Sequence, residues 1–245
     1  MEIQIEKDLS IDNRSSFFFK IGELLMVFLP AALLLSLTRS WAGEDPIKTQ
    51  SLVWVAYAIM LIMIWVGLKL RGKSWGEFGL TFESLSFKKA LNVFGLSLVV
   101  FVLGVAAFVL GSILMASFTG IPESADYSKY NFLKDNLGLL MLTLGGVYVV
   151  SSFGEEVVFR AFLINRISEF GTSSKYTTAL AVVLSSLIFG LAHYEWGPMG
   201  MVQTGFMGLA MGICYIKLNK RLWILVLAHV YMDTLLLVQM YMASN

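Results

Sequence analysis

Seven stretches of this 245-residue chain are so continuously apolar that lipid, not water, is the solvent in which they can fold. They lie at about Ile21 to Leu37, Leu52 to Leu68, Ala90 to Phe118, Leu137 to Ile164, Tyr176 to His193, Met201 to Ile216 and Leu222 to Met242. At about 1.5 Å per residue, each is long enough, or nearly so, to cross ~30 Å of hydrocarbon. With 57% hydrophobic and 14% charged residues, the chain is too apolar for a soluble globule. The expectation is an all-α polytopic membrane protein with about seven transmembrane helices. The third and fourth stretches exceed a straight span and must tilt or project, and Pro30 should kink the first.

Charge sets the expected orientation. Fourteen Lys and Arg fall in the amino-terminal segment and in or beside the connections after the second, fourth and sixth stretches, against four in the others. Because positive charge is retained on the cytoplasmic side, the amino terminus is expected inside and the carboxyl terminus outside. Glu2, Glu6, Asp8 and Asp12 argue against a cleavable signal peptide. A formal charge of +1 gives no field that would suit nucleic acid. The lone Cys214 cannot form an intrachain disulfide.

Three local features need explanation. The connection 71–89 mixes Trp75, Phe78 and Phe82 with lysines and reads as an interfacial segment whose aromatics dip toward the lipid. The connection from Thr119 to Asn136, with Gly120 and Pro122, reads as a solvated loop. Gly208 and Gly212 form a GxxxG that lets another helix approach closely, and internal packing is the expected use.

The expensive residues are the ionisable ones inside the apolar stretches. The run GEEVVFR places Glu155, Glu156 and Arg160 in the fourth; FGLAH places Phe189 and His193 at the end of the fifth; HVYMD places His229 and Asp233 in the seventh. Intramembrane charges of this kind are functional candidates by default. With about 100° between successive α-helical residues, Glu156 and Arg160 share a face and can pair, while Glu155 points away and stays available. Glu156 lies about 15 Å of helix from Arg166, and His229 about 12 Å from Arg221, which puts both near mid-bilayer. His193 lies about 27 Å from Lys175, so the fifth helix must start in the cytosol, tilt or be displaced if the three are to meet. The chain has only two histidines and both sit in this set.

A carboxylate beside an apolar wall can take a proton from water, while histidines supply donors to an oxyanion or ligate a metal. The same residues, Glu155, His193, His229 and Asp233, are also a plausible Zn2+ set. Sequence leaves the two routes open. No HExxH, GxSG or GxGD is present, which sets aside zincins and the serine-type and paired-aspartate intramembrane proteases.

EExxxR at Glu155 to Arg160, FxxxH at Phe189 to His193 and HxxxN/D at His229 to Asp233, in this order on successive apolar helices, resemble the CAAX protease and bacteriocin-processing family, also called the Abi or type II CAAX prenyl endopeptidase family. The resemblance covers roughly Leu137 to Met242, and KSWGEFGL at Lys73 to Leu80 is similar to the segment ahead of the family's core. It implies an intramembrane peptidase acting on a membrane-associated peptide or protein, lipidated or not. Glu155 would activate water with His193 as partner, His229 and Asp233 would stabilise the oxyanion or hold a metal, and Glu156 and Arg160 would brace the cavity with Phe189 in support. The implied organisation is a cytoplasmic segment 1–20, amino-terminal helices 21–136 and a catalytic core 137–245. A non-catalytic scaffold of the same family, or a small transporter, are the alternatives.

Overall fold

The computed structural model describes residues 17–81, 86–120, 128–171 and 174–243. Met1 to Ser16, Phe82, and 121–127 of the connection after Thr119 lie outside these, and with them the readings made on those residues. Among the described residues the chain is built from helices, seven of which are long and apolar enough to cross a membrane. They are α1 (Phe17–Ala42), α2 (Pro46–Leu70), α3 (Phe87–Thr119), α4 (Leu137–Ser168), α5 (Lys175–Ala192), α6 (Gly197–Lys217) and α7 (Leu222–Ala243). The fold is that of a multi-pass integral membrane protein.

Local chemistry sets the helix starts. Asp45 caps α2 by accepting from the Ile47 and Lys48 amides at 2.9 and 3.2 Å, with Pro46 in the first turn where its missing N–H costs nothing. Ser86, Asn136 and Ser174 cap α3, α4 and α5 in the same way. Gly208 and Gly212 on α6 pack against Phe189, Ser186 and Val182 of α5, so the GxxxG serves internal packing.

Helix α4 is the centre of the molecule, with every residue from Val157 to Ile164 buried. Its winding departs from the α-helical expectation, because Tyr148–Leu163 is a π-helix flanked by α-helical Leu137–Val147 and Ile164–Ser168. A ladder of i→i+5 bonds places more residues in each turn and shortens the helix per residue, which absorbs part of the length that exceeded a straight span.

The connection after α2 also differs from expectation. Phe78 and Leu80 are only 3% and 6% exposed and join the protein core, and Trp75 packs against it, so these aromatics seat in protein and not in the lipid interface. A short 3-10 turn, Trp75–Phe78, capped by Ser74, ends at Gly79 with φ +73°, and a side chain there would strike the Lys220 carbonyl of the α6–α7 turn. The segment is a strap docked on the helical core.

One end of the bundle is tied by charge. Glu23 of α1 is buried between Arg71, at 2.8 Å, and Arg166, at 3.2 Å, and both arginines also reach Glu169 at 3.1 and 2.7 Å. This closed ring, with Lys20 donating to the Glu169 carbonyl, joins α1, the end of α2 and the end of α4. The loops rich in Lys and Arg therefore gather at one end. Arg160, counted with them by sequence, is 1% exposed inside the span and belongs to the interior, and the excess stands without it.

Candidate active site

The π-wound part of α4 carries Glu155, Glu156 and Arg160, and α7 brings His229 and Asp233 against it. Glu155 and Glu156 both approach the His229 ring of α7 from this π-wound stretch. Glu156, fully buried, is met by two partners. Arg160 Nη1 approaches its Oε1 at 3.3 Å, and His229 Nδ1 lies 2.8 Å from the same oxygen. The Arg160 contact is off the hydrogen-bonding direction, since Nη1 has no hydrogen-bond partner among the described residues, and it acts as a coulombic pair. A carboxylate held this way has no proton to give, so His229 donates through Nδ1–H and turns Nε2 to the opposite side.

There Nε2 faces two more acids. Glu155 Oε2 is 3.9 Å away and Asp233 Oδ1 is 3.7 Å away, both too far for a direct hydrogen bond and both at a distance that one water spans. Asp233 accepts from Ser152 at 2.7 Å through its other oxygen. Tyr57 of α2 is buried beside Glu155, with its ring against Gly154. Among the described residues, Glu155 Oε2, Glu156 Oε2 and both terminal nitrogens of Arg160 are buried without a hydrogen-bond partner. Four orphaned polar atoms at one place mark a spot that requires water or a polar ligand, because a dry site would leave each desolvated at a cost of about 1–3 kcal/mol.

Phe189 and His193 flank the cluster. The Arg160 guanidinium lies 4.2 Å over the Phe189 ring, which also meets Phe159 edge-on. His193 ends α5 one turn further, half-buried, stacked between Phe189 and Trp196. Ser185 of α5 bonds the Phe159 carbonyl at 2.6 Å, so α5 runs beside α4. His193 Nδ1 donates to the Phe189 carbonyl at 2.8 Å, which leaves Nε2 as an acceptor. His193 feels His229, Arg160 and Asp233 electrostatically without touching the acids directly.

Among the described residues no three His, Cys, Asp or Glu side chains are arranged to hold a metal ion. Sequence reasoning missed Ser152, Tyr57, Tyr148 and Thr234. Their only signal is a hydroxyl in an apolar run, which most helices also carry.

Fold and site together define a polytopic helical membrane protein with a carboxylate–imidazole cluster buried at the meeting of α4, α5 and α7. Residues 137–235, a stretch that contains all three motifs, match the family model described as type II CAAX prenyl endopeptidase Rce1-like. The family is one of proteases and supports a CAAX-type intramembrane hydrolase. Comparison with curated proteins and with solved structures found no match.

Proposed function

We propose that the chain is an intramembrane endopeptidase that hydrolyses a peptide bond in a membrane-associated peptide or protein, with Glu155 as general base. The observation that carries this reading is the gap bounded by Glu155 Oε2, His229 Nε2 and Asp233 Oδ1, where every polar edge is too far from the next to bond directly. A water in that gap donates to both carboxylates and accepts from Nε2–H, which leaves one lone pair for attack.

The steps balance without a metal. Glu155 takes one proton from the water as its oxygen adds to the scissile carbonyl carbon, and the protonated His229 donates Nε2–H to the developing oxyanion. The carbon–nitrogen bond then breaks, and the proton held on Glu155 passes to the leaving amine. Glu156 fixes the His229 ring through Nδ1 and is itself anchored by Arg160, the division of labour seen where a buried acid orients a catalytic imidazole. His193, with Nε2 as an acceptor, orders a substrate N–H or the departing amine. In this reading the amino terminus and the strap face the cytoplasm, in keeping with the excess of positive charge at that end.

The test is cleavage by purified full-length protein of an internally quenched peptide ending in a farnesylated Cys-a-a-X sequence, beside its unprenylated copy. Glu155→Ala and His193→Ala should each abolish cleavage and leave the melting temperature near wild type. Variants that keep full biological activity would favour a non-catalytic scaffold.

A further inference from the structure

Helical serines commonly return their proton to their own backbone, and most of those with a hydrogen bond among the described residues do so, while Ser185 gives its proton to the Phe159 carbonyl of α4. Ser36, Ser51, Ser112, Ser117, Ser168 and Ser186 each donate to a carbonyl three or four residues back. Ser152 is fully buried in α4, yet it spends its proton across the helix interface on Asp233 Oδ2 at 2.7 Å. We propose that Ser152 is a positioning residue that orients the Asp233 carboxylate so that Oδ1 faces His229 Nε2. This rests on the hydrolytic reading above.

The geometry explains why a donor is needed there. The terminal torsion of aspartate is broad and roughly two-fold, so a carboxylate with one free edge can swing its plane away from Nε2. A hydroxyl on Oδ2 removes that freedom. A purely structural tie between α4 and α7 already exists one residue away. Thr234 donates its own proton to the Val230 carbonyl at 2.6 Å and therefore accepts from the Tyr148 hydroxyl at 2.7 Å. Ser152 instead bonds the α7 carboxylate whose other oxygen lies 3.7 Å from His229 Nε2.

Ser152 also fixes what residue 233 shows to the site. Its hydroxyl demands an acceptor, and an aspartate meets that demand with one oxygen and keeps the other as an acceptor toward the gap. In Asp233→Asn the amide oxygen would go to Ser152 and the NH2 would face His229, which converts an acceptor to a donor at the water position. The effect of Asp233→Asn should therefore depend on Ser152.

The two-histidine composition makes the test clean. Full-length protein labelled with ring-15N-histidine carries label only in the ring nitrogens of His193 and His229. In Ser152→Ala the His229 resonances should move while those of His193 stay, and Ser152→Thr should restore them. With the farnesylated Cys-a-a-X peptide, Ser152→Ala should lower kcat about tenfold with KM within about twofold, and should show less than additive loss with Asp233→Asn. Unmoved His229 resonances in Ser152→Ala would overturn the proposal, as would an equal movement in Tyr148→Phe. If His229 responds as stated but wild-type protein cleaves no peptide, the positioning role stands and the hydrolytic reading fails.

Discussion

Replacing Glu156 with glutamine keeps an acceptor for His229 Nδ1–H but removes the only carboxylate paired with Arg160 among the described residues. That guanidinium is 1% exposed, and its terminal nitrogens have no hydrogen-bond partner among the described residues, so its charge would be left uncompensated. Breaking one side of a buried ion pair costs about 3–5 kcal/mol. The Phe189 ring under Arg160 at 4.2 Å offsets about 1 kcal/mol of that. The net loss of about 2–4 kcal/mol corresponds to a fall in melting temperature of roughly 5–15 °C for a chain of this size. Thermal unfolding of detergent-solubilised protein, followed by size-exclusion recovery, reads this directly. Glu156→Gln with Arg160→Met should be more stable than Glu156→Gln alone, because the second change removes the stranded charge. A Glu156→Gln protein that melts within about 2 °C of wild type would show that Arg160 is neutralised elsewhere, and the brace assigned to this pair would be wrong.

Other predictions bear on separate parts of the molecule. Gly79→Ala should cost about 1–2 kcal/mol from the left-handed backbone alone, and the added side chain would meet the Lys220 carbonyl, so the strap should become a preferred site of limited proteolysis. Burial would raise the Glu169 carboxyl, but the Arg166 and Arg71 guanidinium groups hold it below the ordinary value. A depressed folded value means that stability is present above the unfolded value of about 4.3 and is lost as pH falls through the folded one, so acid sensitivity should appear below about pH 4 and be blunted in Glu169→Gln. If Glu155 acts as general base without a metal, as proposed, peptide cleavage should survive exhaustive treatment with a chelator, measured with metal content on the same sample.

Hydropathy made the seven helices legible, because an unbroken apolar run has only one way to satisfy its backbone in lipid. The three motifs were legible for a related reason, since ionisable groups are too costly in those runs to be ornamental. What stayed hidden was geometry that depends on winding and on neighbours. A 100° periodicity separates Glu155 from Glu156, yet in the π-wound stretch of α4 both approach His229. Phe78 and Leu80 carry the composition of an interfacial segment, and it is the tight approach at Gly79 that seats them in the core. Ser152 resembles other helical serines in sequence, and its carboxylate partner on α7 is visible only in the structure.

The central claim is that a water held between Glu155, His229 and Asp233 attacks the peptide bond directly. A single turnover in H2 18O, with enzyme in excess over the farnesylated Cys-a-a-X peptide and the product weighed by mass spectrometry, tests this. The account predicts one 18O in the new carboxyl group from the first turnover. A first-turnover product with only 16O would mean that the oxygen came from a protein carboxylate through an acyl intermediate, and would contradict it.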